Sequence, residues 1–519
     1  MDVFKLLIPE VILFLAACAL LMLGGSAGTR ARKIAPAVAL IALLVALVAA
    51  VFASPTGQID RTGALAVTEM SAYVKAISIG VSILFVLLAW PTSASGDSNR
   101  SIHFSTETSE YFALLLLAVA GMCVVGAANS LPTLFLGIEL SSIPTYIMVT
   151  MSRPQQQAQE AGVKYFFLGA AAAAILLLGM AYLFGVTGEM RLDRIADAVR
   201  GMTVGHVPAL LTLAGVLLIV GLLFKLAAAP LHFYVGDVYQ GAATPVTAAI
   251  SYIPKVSGTI ALLKILDALG GSGGGAWQGA GMLDPKLIKL LVIVAVLTMT
   301  VGNVLALLQY NVKRVLAYSS VAHSGYILVG IASMALLAPG PRAEAMGAVA
   351  FYLLAYGIMN TAAFGVLMML PGAAREPALS AETYDDIQGI ARRRPWPALA
   401  MTLCCLSLIG VPATIGFFGK LYIVRPAIGS GDTQLLWLAV LTMINAVISA
   451  AYYLKIVATM WTLPEPEHRN HATPPSERPL PVVIAVGLSA AATLVFGIVL
   501  PLAGALYHKA TTLTIALGR

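Results

Sequence analysis

The sequence predicts an all-α membrane protein with about fourteen transmembrane helices. Of its 519 residues, 59% are hydrophobic and only 11% are charged, whereas soluble proteins usually carry about 25% charged residues. Apolar runs of about 20 residues, the length that a helix needs to cross a bilayer, recur along the whole chain. A water-soluble core could not bury so much apolar surface. This composition excludes a soluble enzyme, a disordered scaffold and a nucleic-acid-binding protein.

The apolar runs are predicted to be helices, because a membrane β-barrel would show short segments of alternating hydrophobicity. The polar connections between the runs are short, so we expect residues 1–519 to form a single integral membrane domain. The fourteen predicted spans cover residues 6–23, 34–53, 72–90, 111–128, 131–151, 163–185, 208–229, 243–266, 287–308, 315–337, 345–370, 396–422, 434–461 and 480–507.

Two of the predicted spans contain helix breakers close to a lysine. Pro230 follows Lys225 in span seven, and Gly410 and Pro412 precede Lys420 in span twelve. Proline removes a backbone hydrogen bond, and within a bilayer the freed polar groups must face protein or water. Interrupted helices at corresponding places in two halves of a chain are typical of transporters with inverted repeats.

The two breaks lie five spans apart, which predicts two inverted five-helix repeats, spans 4–8 and spans 9–13. An odd number of helices per repeat gives the two repeats opposite orientations in the membrane. The predicted units are three N-terminal helices, the first repeat, the second repeat and a final helix, over residues 1–110, 111–268, 285–461 and 480–507.

The distribution of basic residues predicts the orientation. With the N-terminus on the outer side, the cytoplasmic connections hold 13 of the 31 Lys and Arg residues, and the opposite connections hold 11. Three tight basic clusters, at residues 30–33, 313–314 and 392–394, all fall on the cytoplasmic side. Because positive charge favours the cytoplasmic side, we expect the N-terminus on the outer side.

Several ionisable residues lie inside the predicted spans, where a charge is costly and therefore indicates function. Glu139 is the only carboxylate near the middle of an apolar run, and Lys225, Lys255 and Lys420 lie on three other spans. Lys164 lies about one turn inside its own span. Such a row of lysines with one acid favours a proton relay, since buried lysines without partners exchange protons readily.

The alternative is a buried ion pair that only joins two helices. It would account for Glu139 and one lysine, but it would leave at least two central lysines without carboxylate partners. Three further lysines, Lys75, Lys264 and Lys455, lie nearer the ends of their spans, and we expect their amines to reach the membrane surface.

The sequence shows no motif for a cofactor or a metal ion. Its four cysteines lack the C-x-x-C spacing of zinc and iron–sulfur sites. The chain also contains no nucleotide-binding motif. We therefore expect no bound cofactor and no metal in this chain.

Two segments carry a family resemblance. Residues 230–247 read PLHFYVGDVYQGAATPVT and residues 311–326 read NVKRVLAYSSVAHSGY. Both resemble hallmark segments of the antiporter-like membrane subunits of respiratory complex I, and the resemblance covers essentially the whole chain. Within that family, the run Asp237–Gly241 and the lysine at position 255 resemble the subunit N type, the equivalent of mitochondrial subunit 2.

The resemblance implies roles for individual residues. Glu139 would pair with Lys225, Lys255 would be the central relay lysine, and Lys420 would be the terminal lysine facing the outer half-channel. Lys164 resembles a lysine that supports the pair. His232 and His323 match family histidines on the polar axis, and a core histidine satisfied by its neighbours is the alternative for each.

The implied function is proton pumping by a subunit of a proton-translocating NADH:quinone oxidoreductase that has no redox centre of its own. NADH, FMN, iron–sulfur clusters and quinone would be bound by other subunits. The implied partners are the antiporter-like subunit M, the small subunits K and J, and the lipid bilayer, with no nucleic acid. The Ala-rich composition and the fourteen predicted spans favour a bacterial inner membrane over an animal mitochondrion.

Two other functions stay open at this point. One is a subunit of a multi-subunit cation/proton antiporter with no link to redox chemistry, and Asp237–Gly241 and Lys255 argue against it. The other is a purely structural membrane spacer, which the central lysines disfavour.

Overall fold

The structure is a computed structural model of the chain. It describes residues 6–25, 29–53, 58–59, 63–90, 108–153, 156–202, 208–270, 284–337, 339–370, 381–462 and 480–499. The predicted span end 500–507 lies outside these ranges, as do Arg100, Arg375, Arg469 and Arg478 from the count of basic residues.

The described part of the chain is built almost entirely from helices. They are α1 (Ile8–Gly24), α2 (Thr29–Val48), α3 (Glu69–Leu88), α4 (Thr108–Ala127), α5 (Leu131–Met151), α6 (Gln156–Thr187), α7 (Leu192–Arg200), α8 (Ala209–Lys225), α9 (Val235–Gly241), α10 (Thr244–Ile250), α11 (Ile253–Leu269), α12 (Pro285–Leu307), α13 (Val312–Leu336), α14 (Pro339–Met369), α15 (Tyr384–Ile387), α16 (Pro395–Ile409), α17 (Ile415–Gly429), α18 (Thr433–Trp461) and α19 (Leu480–Ile498). A π-helical turn, Ala49–Ala53, follows α2, and a 3-10 turn, Ile390–Arg392, precedes α16. Two antiparallel strands of two residues each, β1 (Gln58–Ile59) and β2 (Ala66–Val67), form the only named sheet in the described ranges.

Within the described ranges, eleven helical segments are long and apolar enough to cross a membrane, and three shorter apolar helices, α1, α8 and α16, fall in predicted spans one, seven and twelve. Every predicted span thus contains an apolar helix, and the predicted class, an all-α multi-pass membrane protein, is confirmed. The exact number of fourteen crossings and the inverted repeats stay predictions.

Polar residues at the membrane ends of the helices fix where the helices begin. Thr68 accepts a hydrogen bond from the backbone N–H of Ser71 at the start of α3. Ser130 and Asn311 cap α5 and α13 in the same way. Each cap satisfies one of the backbone N–H groups that the first helical turn leaves unpaired.

The centre of the bundle is formed by the segment α10–α11 and by α13. In both, every residue of the most apolar stretch is buried, and the most apolar stretch of α14 is buried almost as completely. The helices α6, α12, α18 and α19 expose large apolar side chains, which is expected of surfaces that face lipid. Side chains on α11 and α13 therefore lie deep inside the protein.

The predicted breaks in spans seven and twelve are confirmed. α8 ends at Lys225 and α9 begins ten residues later, and α16 ends at Ile409, six residues before the start of the next helix, α17. Ala227 and Ala413, one in each break, have left-handed backbone angles, with φ of 55° and 69°. A residue with a Cβ pays a conformational cost in this region, so the same unusual feature recurs at both breaks.

Span eight is also interrupted, which the sequence did not predict. α10 ends at Ile250 and α11 begins at Ile253, with Ser251 and Tyr252 between them. Ser251 accepts a hydrogen bond from Asn360 of α14 and donates one to Ala248 O at 2.6 Å. The interruption lies directly before Lys255.

A buried ionic cluster joins the two predicted repeats at one end of the bundle. Glu382, in the segment before α15, lies 2.8 Å from Arg153 and 3.2 Å from Lys313. Lys313 also donates to the Ala242 carbonyl at 2.7 Å. The cluster thus connects the end of α5, the start of α13 and the backbone that follows α9.

Candidate functional site

Glu139 and Lys225 form an ion pair inside the helix bundle. Lys225 Nζ is 3.1 Å from Glu139 Oε1, and the side chains are 2% exposed for the lysine and 16% for the glutamate. Lys225 Nζ also donates to Ser142 Oγ at 2.9 Å and to Tyr146 Oη at 3.0 Å. All three polar contacts of this ammonium group are with α5.

The local sequence of α5 explains this geometry. Glu139, Ser142 and Tyr146 are spaced three and four residues apart, so they share one helix face. On the other side of Lys225, Gly258 lets α11 approach closely, since a Cβ at this position would lie only 2.9 Å from Lys225 Cβ. The ion pair is therefore packed directly against the helix that carries Lys255.

A small cavity lies between Lys225 and Lys255. It offers about 10 Å³ to the centre of a water molecule, which is room for about one water. Tyr165, Tyr234 and Tyr239 form part of its wall. The two lysines are thus separated by a space that a single water molecule fits.

Lys255 contacts α13 through a serine. Its side chain is buried, and Nζ donates to Ser320 O at 2.6 Å and to Ser320 Oγ at 2.7 Å. Ser320 Oγ in turn accepts a hydrogen bond from Tyr356 Oη at 2.8 Å. No carboxylate is among the contacts of Lys255 in the described part of the chain.

His323 lies one helical turn beyond that serine, on the same face of α13. Its Nδ1 is 2.5 Å from Tyr352 Oη and its Nε2 is 3.2 Å from Tyr453 Oη, so both ring nitrogens have phenol partners. The ring is also within electrostatic range of Lys255 and Lys420. The two phenol partners fit both a residue on the polar axis and a core histidine satisfied by its neighbours, so the role of His323 stays a prediction.

Lys420 is held by the broken helix in front of it. Its buried Nζ donates to Leu408 O at 2.9 Å and to Ile409 O at 2.8 Å. These are the last carbonyls of α16, which have no partner within the helix. Gly410 ends α16 with φ of 94°, so the turn that frees the two carbonyls also directs them to the ammonium group.

Each of the three lysines also lies over the face of a tyrosine ring. Such cation–π contacts stabilise an ammonium group without adding a negative charge. The distances from nitrogen to ring centroid are 5.6 Å for Lys225 and Tyr146, 4.4 Å for Lys255 and Tyr356, and 4.7 Å for Lys420 and Tyr326.

Lys164 lies elsewhere, in a polar basin that we define by Gln157, Glu160, Lys164, Asp237 and Gln240. The basin is open and offers about 200 Å³ to water. Lys164 Nζ is 2.7 Å from Glu160 and 3.1 Å from Asp237, and its side chain is 42% exposed. The structure therefore places Lys164 beside Asp237 instead of beside the pair that it was expected to support.

His232 lies in the break after α8. Its side chain is only partly buried, and Nδ1 has no hydrogen-bond partner in the described structure. The structure does not bring His232 into contact with the lysines of the row, so the predicted role on the polar axis has no contact to support it.

The expectation that Lys75 reaches the membrane surface is wrong. Its side chain is fully buried and lies 2.8 Å from Glu10 of α1, because Glu10 supplies a buried counter-charge and Leu6 O accepts a further hydrogen bond. Lys264 is half-buried and donates to Ala128 O at 2.7 Å. Lys455 is exposed and lies over the ring of Tyr384.

Sequence reasoning missed the partners that hold the lysines in place: Ser142, Tyr146, Ser320, Tyr356 and Tyr326. For four of them the only signal was helical spacing, three or seven residues from Glu139 and three residues on either side of His323, and Tyr356 on α14 had no such signal. In the described ranges, no group of three or more His, Cys, Asp or Glu side chains is arranged to hold a metal ion.

Fold and site together define a polytopic membrane protein with broken helices and a buried row of acid–base groups. The chain matches the model of the transmembrane family described as NADH:quinone oxidoreductase/Mrp antiporter over residues 128–449. It is also 35% identical to NADH-quinone oxidoreductase subunit N 1 of Solibacter usitatus, over 95% of this chain and 93% of the relative. The chain therefore belongs to this family and within it to the subunit N type, as the sequence predicted.

Solved structures agree with this assignment. A chain of respiratory complex I from Thermus thermophilus with bound aureothin superposes with a TM-score of 0.71 at 29% identity, covering 95% of this chain and 98% of that chain. A chain of the Mrp complex from Dietzia sp. DQ12-45-1b superposes with a TM-score of 0.74 at 20% identity, covering 98% and 99%. At this lower identity the likeness concerns the fold alone.

Proposed function

We propose that this chain is a proton-translocating membrane subunit of an NADH:quinone oxidoreductase and that protons move through it along the row Glu139–Lys225, Lys255, His323 and Lys420. The observation that carries the proposal is the placement of three buried lysines on three helices with one carboxylate among their contacts. Such a row holds protons but offers few ligands to a metal cation, which prefers about six oxygen atoms.

Proton uptake is proposed to begin at the polar basin. The short helix α9 separates the basin from the small cavity, because Asp237 and Gln240 line the former while Val238 and Tyr239 line the latter. A proton would need to pass only the single helix α9 to reach the cavity between Lys225 and Lys255. With the predicted orientation, the basin opens to the cytoplasm.

Transfer from the pair to the centre is proposed to depend on the distance between Glu139 and Lys225. When the two move apart, the ammonium group loses the carboxylate beside it and gives up its proton more readily. The proton then passes through the water-sized cavity to Lys255. The hydrogen bonds of the serine and histidine on α13 lead from there towards Lys420.

Lys420 is proposed as the last proton-binding residue of the row before the outer side of the membrane. Its ammonium form is held by two carbonyl oxygens and a ring face. These groups stabilise the charge more weakly than a carboxylate would, so the proton can leave once water reaches it.

We also propose the location of the chain, its partner subunits and its internal repeats. The chain lies in a bacterial inner membrane with its N-terminus outside, beside subunits M, K and J, and other subunits bind NADH, FMN, iron–sulfur clusters and quinone. Residues 111–268 and 285–461 act as two inverted repeats, supported by the left-handed alanine at each break. No redox step takes place in this chain.

The decisive experiment uses the whole complex in proteoliposomes, with proton uptake followed by a pH-sensitive dye during NADH oxidation. Lys255→Met keeps the side chain's length and removes its charge, so we expect an assembled complex with a lower ratio of protons pumped to NADH oxidised. Lys289→Met, the same change at an exposed lysine of α12, is the matched control. A wild-type ratio in Lys255→Met would refute the proposed path.

The same vesicles separate proton pumping from metal-cation transport. Pumping is expected to proceed without Na⁺ and to be abolished by a proton-carrying uncoupler. If it instead requires Na⁺ and survives the uncoupler, the chain works as a cation antiporter subunit.

A further inference from the structure

The three N-terminal helices contain a second buried acid–base pair that the proposed row does not use. Lys75 Nζ lies 2.8 Å from Glu10 Oε1, and the side chains are 0% and 5% exposed. Lys75 Nζ also donates to the Leu6 carbonyl at 3.1 Å. Both residues lie near the start of their helices, α1 and α3, and therefore near one end of the bundle.

Buried hydroxyl groups continue from this pair towards the centre. Ser71, Tyr73 and Tyr252 each have a buried side-chain oxygen without a hydrogen-bond partner in the described structure. Ser71 and Tyr73 are within one helical turn of Lys75 on α3. Buried hydroxyls are normally paired, so a local run of unpaired ones indicates a polar space that accepts further donors and acceptors.

Tyr252 connects this space to the row. It lies in the interruption of span eight, three residues before Lys255, and its ring centroid is 5.9 Å from that of Phe85 on α3. Tyr252 thus packs against α3, the helix that also carries Ser71, Tyr73 and Lys75.

Further charges lie on the same side of the molecule. Lys264, near the end of α11, donates to the Ala128 carbonyl at 2.7 Å, and Ala128 forms an antiparallel β-bridge with Leu65, just before α3. Asp267 forms an ion pair with Arg342 at the start of α14. Since α1 and α3 start where α11 ends, these groups gather at the end of the bundle that the predicted orientation places outside.

We propose that Glu10 and Lys75 form a second proton-binding site, which receives protons from Lys255 by way of Tyr252 and releases them at the end of the bundle where α1 begins. The proposal rests on the proton-translocating function proposed above. An N–H bond of the Lys255 ammonium breaks and its proton goes to the Tyr252 hydroxyl, which passes its own proton on. The arriving proton forms an O–H bond with the Glu10 carboxylate, and the Lys75 ammonium stays beside the resulting acid. Release breaks that O–H bond and restores the ion pair, so no electron is transferred.

A purely structural ion pair would behave differently when both charges are removed. Neutral side chains of similar size leave no buried charge unpaired, so the double variant is expected to assemble. If the pair only joined α1 to α3, this variant would pump with the wild-type stoichiometry. If the pair binds transported protons, the variant pumps fewer protons for each NADH oxidised.

The test compares Glu10→Gln/Lys75→Met with Tyr252→Phe in the reconstituted whole complex. Tyr252→Phe keeps the ring packing and removes only the connecting hydroxyl, so it decides the question if the double variant does not assemble. We expect both to lower the ratio of protons to NADH, whereas Tyr182→Phe on α6 leaves it unchanged. Glu10→Gln should also remove a carboxylic-acid band from the infrared difference spectrum recorded on adding NADH.

Lys255→Met, measured in parallel, distinguishes the two proposals. If Lys255→Met lowers the ratio while Tyr252→Phe and the double variant keep it at the wild-type value, the second site is refuted and the row stands. If Lys255→Met also pumps normally, the row is refuted and the second site with it.

Discussion

Neutralising Glu139 is the perturbation whose effect can best be calculated from the structure. Glu139→Gln keeps the size of the side chain and removes the carboxylate that lies 3.1 Å from Lys225 Nζ. At that distance, and with an effective dielectric constant of about 20, two unit charges attract each other by about 5 kcal/mol. This is the stabilisation that the ammonium form of Lys225 loses in the variant.

The size of this loss can be compared with the work of pumping. Moving one charge against the membrane potential costs about 2.3 kcal/mol per 100 mV. Breaking the ion pair therefore changes the free energy of the proton on Lys225 by about as much as moving one proton against about 200 mV, and the work itself would come from NADH oxidation elsewhere in the complex. In the variant, the distance between residues 139 and 225 no longer sets how tightly Lys225 holds its proton. We therefore expect the pumping rate to fall at least about tenfold, equivalent to about 1.4 kcal/mol.

The assay is NADH-driven proton uptake and quinone reduction by the variant complex in proteoliposomes. We expect the complex to assemble, because Lys225 keeps its hydrogen bonds to Ser142 and Tyr146. Glu189→Gln, the same change at a carboxylate between α6 and α7, should leave both rates unchanged. Wild-type rates in Glu139→Gln would show that the pair does not control transfer.

Two further predictions concern the helix break and the ionic cluster. Gly410→Ala places a Cβ at a φ of 94° and 3.2 Å from Lys420 Cδ, so we expect a destabilisation of about 1–3 kcal/mol with slower pumping. Gly429→Ala, where a Cβ would meet no atom within 4 Å, should preserve both the melting temperature and the pumping rate. Burial alone would raise the pKa of Glu382, but the charges of Lys313 and Arg153 outweigh it and hold the pKa below its ordinary value. This contribution to stability is present above about pH 4.3 and is lost as the pH falls through the lower pKa of the folded state. Glu382→Gln should therefore cost about 3 kcal/mol at neutral pH and much less in acid, and an equal loss of thermal stability at both pH values would contradict the assignment.

The sequence predicted the parts of the fold that depend on composition and on helix breakers. Apolar runs separated by short polar connections identify the spans, and Pro230 and Pro412 mark two of the three interruptions. The third, at Ser251 and Tyr252, has a local signal in Pro254, which lies in the first turn of α11 and cannot donate a backbone hydrogen bond to Ile250. The hydrogen bond from Asn360 of α14 to Ser251 could not be read from the local sequence, because the two residues are far apart in the chain.

The buried lysines could be predicted for the same reason, since a charge in an apolar run is visible without a structure. Their partners could not, because they depend on which helix faces pack together. Lys75 is the clearest example of a residue whose partner could not be predicted from the sequence. Its position near a span end suggested an exposed amine, but α1 supplies Glu10 as a buried counter-charge. Lys164 likewise pairs with Asp237, a residue 73 positions away.

The tyrosine rings beside the three lysines have a consequence for leakage. A carboxylate next to each lysine would attract the ammonium group but would also offer it a place to lose its proton. A ring face attracts the charge and accepts no proton at all. The rings of Tyr356 and Tyr326 can therefore insulate Lys255 and Lys420, which have no carboxylate among their contacts in the described structure, because a proton on either lysine can move only to a neighbouring amine, hydroxyl or water. A membrane that stores energy as a proton gradient depends on such insulation, since every proton that slips backwards through the row would waste the work of pumping it.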